Sequence, residues 1–164
     1  MNNEEALNRV FDTPADPRHA GQVRHMLASF RRFLGYDLFV CPPQGDAALT
    51  NALAGAPFIL VSHGTEADPI LNYGNHAALK LWEMDWKTFT RTPSRLTAEP
   101  VDREERVRLL ERVLSHGYID GYQGIRISSS GRRFRMEQAV VWNVRDECDR
   151  PVGQAATFAR WVGI

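Results

Sequence analysis

Residues 118–161 read YIDGYQGIRISSSGRRFRMEQAVVWNVRDECDRPVGQAATFARW, and this stretch decides the fold. Three β-rich runs, Tyr118–Ser128, Arg132–Val144 and Pro151–Trp161, are separated only by Ser-Ser-Ser-Gly and Asp146-Glu-Cys-Asp-Arg150. Long runs joined by such short turns predict two successive hairpins, an antiparallel meander. In the middle run Phe134, Met136, Val140 and Trp142 alternate with Ala139 and Val141, so both faces of the sheet are expected to be apolar. One face can pack on internal helices; the other needs a cover.

Upstream the period changes to that of helices. Asp16 followed by Pro17 is a helix start, an acidic cap and then a proline whose missing N–H is harmless. Val23, Met26, Leu27, Phe30, Phe33 and Leu34 then recur at helical spacing until Gly35, with Arg24, His25, Arg31 and Arg32 on the opposite side. This amphipathic helix is the natural cover for the second face of the sheet. Glu4 to Phe11 reads as a further short helix, and Asp46 as the cap of a helix from Ala47 to Leu53. Pro57–His63 (PFILVSH) and Ile70–Tyr73 are expected to pair as a hairpin, after which Asn75 caps a helix carrying Ala77, Ala78, Leu81 and Trp82. Residues 85–97 are expected to be irregular. Asp102-Arg-Glu-Glu105 has the form of a capping box for a helix lined by Val107, Leu110, Val113 and Leu114 and ended by Gly117. The expected architecture is α+β: a five-stranded antiparallel sheet with helices on one face and an N-terminal amphipathic helix. Residues 1–16 form an extension, 17–56 an N-terminal helical segment and 57–164 the core, together functionally a single domain.

The chain has 164 residues, 43% of them hydrophobic and 24% charged, so it can bury a sizeable core. Lys plus Arg and Asp plus Glu are both 20, and this zero net charge argues against direct nucleic-acid binding. No apolar run reaches membrane-spanning length, and the acidic N-terminus carries no signal-peptide core. Cys41 and Cys148 form no CxxC pair. These features predict a cytoplasmic protein with free thiols, no membrane partner and no metal.

The order of elements is that of PAS domains, and particular residues support it. Ile70-Leu-Asn-Tyr-Gly-Asn-His-Ala-Ala78 resembles the PAS stretch in which a strand ends at an Asn before a small-residue helix. Asn143-Val-Arg-Asp146 resembles the turn before the last PAS strand, with Asp149-Arg150 replacing the usual glycine. More specifically, Leu71–Trp82, Arg91–Pro100, Gly124–Ser128, Gly131–Phe134, Val141–Asn143 and Gly153–Phe158 resemble the MEKHLA domain, a PAS-like family. Members occur alone in bacteria and at the C-terminus of plant homeodomain-leucine-zipper regulators, and this chain is identified with the bacterial stand-alone type. The resemblance runs from about residue 20 to the end. It implies a PAS-like sensory domain, and carries no transcription-factor activity, since no homeodomain or zipper accompanies it.

In a PAS-like fold Asn72, Tyr73, His76, Trp82, Trp86, Tyr122, Trp142, Asn143, Gln154 and Thr157 would line or flank a cavity between sheet and helices. Apolar walls with a few polar groups suit a small ligand; the alternative is that the aromatics are simply core. Gln154 and Asn143 stand out, because buried amides need partners. A second grouping is basic: Arg126, Arg132, Arg133 and Arg135 flank one turn and could clamp a carboxylate or phosphate, or else pair with Glu137 or with acids of the Asp102–Glu111 helix. Ser94 stands where light-sensing relatives keep a flavin-reactive cysteine, which excludes a thiol adduct. His116 can be a helix-end dipole partner or an axial haem ligand. No nucleophile–base pair and no metal-ligand spacing occurs, so no catalytic residue is assigned.

The function expected from these residues is a small-ligand-binding sensory or regulatory domain that signals through dimerisation or a partner protein in trans. The alternatives are a ligand-free interaction (dimerisation or masking) module and a small enzyme on the same cavity. No cofactor is expected; haem and non-covalent flavin are the alternatives there. The apolar stripe of the N-terminal helix predicts a homodimer.

Overall fold

The computed structural model describes residues 13–164. The helix expected over Glu4–Phe11 lies outside them. Asp16 caps a 3-10 turn, Pro17–His19, by accepting from the Arg18 N–H at 2.9 Å. The turn leads into α1 (Ala20–Leu34), which Gly35 ends in a left-handed conformation. Helix α2 (Asp46–Ala54) follows; Asp46 is its first residue rather than its cap, and Gly45 takes the cap position. Strands β1 (Ile59–His63) and β2 (Leu71–Gly74) form the expected hairpin. Asn75 caps α3 (His76–Trp82), accepting from the Ala78 N–H at 3.2 Å.

The segment expected to be irregular contains a one-turn helix, α4 (Trp86–Phe89), capped by Asp85, and a 3-10 turn at Ser94–Thr97. Both are too short to leave an apolar period in the sequence. Helix α5 (Pro100–His116) starts two residues before the capping box. Pro100 supplies its first turn, and Glu99 makes an ion pair with Arg133 at 2.7 Å instead of capping. Asp102 therefore sits inside the first turn.

Strands β3 (Tyr118–Ile127), β4 (Arg133–Arg145) and β5 (Pro151–Phe158) complete the meander, and β6 (Arg160–Gly163) pairs with β4 beyond β5. The sheet order is β2-β1-β5-β4-β3, antiparallel throughout. Val140 faces Thr157 and Glu137 faces Arg160 in one unbroken register, so β5 and β6 are a single long strand interrupted at Ala159.

The expected simple alternation along β4 does not hold. Gln138 adopts a left-handed backbone (φ 49°) and Gly121 opposite does the same (φ 68°). Each inserts one residue into its strand, and the two register shifts between β3 and β4 cancel. Phe134 and Met136 consequently share a face with Ala139 and Val141, against α3 and α5, whereas Val140, Trp142 and Val144 point the other way.

That other face is covered by α1 and α2. Val23, Met26 and Phe30 are buried against Leu60, Tyr73, Val140 and Trp142. The Trp142 indole N–H donates to the Met26 carbonyl at 3.1 Å, and the Phe30 ring meets the Trp142 ring edge-on with centroids 5.0 Å apart. The helix thus closes its own sheet, and the stripe from which a homodimer was expected is occupied within the protomer. Phe30→Ala removes this contact and is expected to cost about 3–5 kcal/mol in urea unfolding, with the sheet's far-side packing intact.

Candidate functional site

The inner face of the sheet is covered by α3, α4 and α5. Its cover is held in place by Asn75, whose side chain is fully buried: Oδ1 accepts from the Leu60 and Ala78 N–H groups and Nδ2 donates to the Phe58 carbonyl at 2.7 Å. One amide thereby ties β1 to the first turn of α3, and α3 carries Trp82 across the sheet. Helix α5 lies alongside, presenting Arg106, Leu109 and Val113 inward at helical spacing. Its C-terminal end is fixed by Asn143, which donates to the carbonyls of Val113 at 3.0 Å and Leu114 at 3.3 Å. Gln154 donates to the Leu110 carbonyl and to Asn143 Oδ1 at 3.2 and 3.1 Å.

Between these elements lies a cavity of about 70 Å³. Trp82, Phe89, Leu109, Val141 and Phe158 are among its apolar walls, and Arg106, Arg126, Ser94, His63 and Gln154 are among its polar groups. Arg106 and Arg126 are only 8% and 5% exposed, which is rare for guanidinium groups. Arg106 donates to Ser94 Oγ at 2.7 Å. Arg126 donates to the Ile125 carbonyl at 2.8 Å and to the Tyr122 hydroxyl at 3.3 Å, and stacks on the Tyr122 ring. The Tyr122 hydroxyl in turn donates to Glu105 at 2.8 Å. Burial, with repulsion from Arg126 added, brings the Arg106 pKa down to about 10. Burial also holds the His63 imidazole below the ordinary histidine range. Its Nδ1 lies 2.9 Å from the Gly64 carbonyl, which can only accept, so the proton is on Nδ1.

Of the residues expected at a pocket, Trp82, Arg126 and Gln154 line this cavity; Tyr122 and Asn143 are hydrogen-bonded to its lining. Tyr73 and Trp142 belong to the opposite core, because strand parity turns them towards α1, and Trp86, the first residue of α4, packs there against Tyr73 and His19. Asn72 also faces that side, accepting from Gln22 and Ser62. Thr157 donates to the Ile59 carbonyl, and His76 is exposed. The basic cluster is not one site. Arg132, Arg133 and Arg135 pair with Glu83, Glu99 and Glu137, while Arg126 alone turns inward. Arg106 and His63 were not read as pocket residues; the signal was the spacing of Arg106 with Leu109 and Val113. His116 is exposed, with Nδ1 3.0 Å from the Arg112 carbonyl, away from the cavity. Among the described residues no cluster of metal-ligand side chains occurs, and no helix is long and apolar enough to cross a membrane.

Sheet order, helical cover and the cavity between them define a PAS-type domain. A PAS domain from Colwellia psychrerythraea superposes over 70% of this chain and 92% of its own, with a TM-score of 0.57 and 16% identity. A light-oxygen-voltage domain studied with a flavin analogue superposes over 71% of this chain and 84% of its own, with a TM-score of 0.56 and 16% identity. Residues 20–162 match the MEKHLA domain, and the chain belongs to that family. The Homeobox-leucine zipper protein ATHB-9 of Arabidopsis thaliana is 28% identical over 152 residues, 90% of this chain but 18% of that protein. The chain therefore spans under a fifth of the length of this relative.

Two consequences can be measured. Asn143→Leu removes the side-chain donor that ties β4 to the Val113 and Leu114 carbonyls and the acceptor for Gln154, hydrogen bonds worth about 0.5–1.5 kcal/mol each. Calorimetric or urea unfolding should show that loss. Depressed histidine pKa values make stability fall on mild acidification. The unfolded His63 imidazole takes up a proton near pH 6.5 while the buried one resists, so stability present above that pH is lost as pH falls below it. His19, also lowered by burial, adds to the same slope. Unfolding free energies measured between about pH 7.5 and 5.5 should fall, and less steeply in His63→Gln.

Proposed function

We propose that this domain binds a small molecule in the cavity between α3, α5 and the sheet, and that occupancy is passed on by association with a second copy or a partner protein. The observation that carries the reading is the space itself, bordered by two buried guanidinium groups whose hydrogen bonds reach only neutral partners. The family and fold, sensory and regulatory in kind, agree with it. A space of about 70 Å³ has room for a molecule of roughly half a dozen heavy atoms. That size speaks against a flavin or a haem, since fused rings would require Trp82, Arg106 and Arg126 to withdraw. Ser94, in the place of the reactive thiol of light sensors, is engaged with Arg106. Apolar surface remains for an associating chain at Tyr36 and Val40 after α1 and at Trp161, Val162 and Ile164 along β6.

Native mass spectrometry of gently purified protein, combined with a thermal-shift screen of small metabolites, tests this. The expected result is a colourless adduct or a stabilising compound whose effect disappears in Ala156→Leu, where the added side chain fills the cavity. A wild-type protein with no adduct, no stabilising compound and a more stable Ala156→Leu variant would mark the space as a packing defect.

A further inference from the structure

The cavity has a sign. Its lining contains two guanidinium groups and no carboxylate. Arg106 makes a single hydrogen bond, to the neutral Ser94, and Arg126 reaches only a carbonyl and a phenol. The acids nearest to them are engaged elsewhere: Glu105 accepts from Tyr122, and Asp68 pairs with Arg95 on the surface. Two cations more than nine-tenths buried, close enough to repel one another, are costly to fold unless something negative joins them. At the same wall the Trp82 indole N–H is buried without an acceptor.

The geometry points to a small organic carboxylate as the ligand, its anionic end held between Arg106 and Arg126 and its short apolar part against Phe89, Leu109 and Val141. A guanidinium presents paired N–H donors that match the two oxygens of a carboxylate. The volume limits the chain to a few carbons, and the apolar walls favour an acid with a hydrocarbon tail over a bare inorganic anion. This inference rests on the ligand-binding reading above and gives it a chemical class.

The test is a thermal-shift and calorimetric titration of the whole chain with the straight-chain sodium carboxylates from acetate to hexanoate. Each is compared with its neutral amide, and with sodium chloride and sodium nitrate at equal ionic strength. One or more acids of butyrate size should raise the melting temperature, while their amides and the inorganic salts do not. Arg106→Met and Arg126→Met keep the volume but remove a buried charge. Each should melt no lower than the unliganded wild type and bind the acid at least about tenfold more weakly. Equal shifts from acid and amide would overturn the carboxylate assignment while leaving the cavity a binding site. An equal shift from nitrate would make the site one for anions in general and overturn the organic class. No shift from any acid, with both Met variants less stable than wild type, would show the arginines to be structural and overturn the inference, whatever adduct the cavity otherwise carries.

Discussion

A sheet that is apolar on both faces has to be covered twice, and every other feature of this domain answers to that constraint. On the outer face α1 and α2 meet it by packing Phe30, Met26 and Val23 over Trp142 and Tyr73, all of them buried. On the inner face the cover comes from three helices of unequal length. A one-turn α4 and a seven-residue α3 cannot span what the longer α5 leaves open. The gap lies where they converge, over the middle of the sheet. Its floor depends on the paired bulges at Gly121 and Gln138, which turn Phe134, Met136, Ala139 and Val141 to one side. Without that change of parity, Phe134 and Met136 would point at solvent or at α1.

Much of this was legible because it is local. Asp16-Pro17, the stripe from Val23 to Leu34, Gly35, Asn75 and the two hairpin turns each act within a few residues, and each does so in the structure. The bulges were not legible, since glutamine in a left-handed conformation leaves no mark on a hydrophobic pattern. The box at Asp102 misled for a related reason. Its cap-competent acid was present, but the proline two residues earlier starts the helix, and the ion pair of Glu99 with Arg133 fixes that start across the fold.

The site was legible in part, and the misses have a common cause. Aromatic residues in β-strands announce burial without saying on which face, so Tyr73 and Trp142 were gathered with Trp82 although the sheet lies between them. Arg106 sits in a helix dense with charge, where Glu104, Glu105, Arg108 and Arg112 make a further arginine look solvated. Only its place three and seven residues before Leu109 and Val113 puts it on the buried side.

The inner layer therefore holds two kinds of polar group. Asn75, Asn143 and Gln154 are amides that satisfy backbone or one another, and they join elements that would otherwise slide: β1 to α3, and β4 and β5 to the far end of α5. Arg106 and Arg126 satisfy little, and they stand across the joint between α5 and β3. Helix α5 is consequently fastened firmly at its C-terminal end. Nearer its start it is held by the Tyr122–Glu105 hydrogen bond and the ion pair of Glu99 with Arg133, against the repulsion of two buried cations. A bound anion between those cations would replace repulsion with attraction at the weaker end while the stronger end stays fixed. On the ligand-binding proposal, α5 is therefore the element whose position would report a filled cavity.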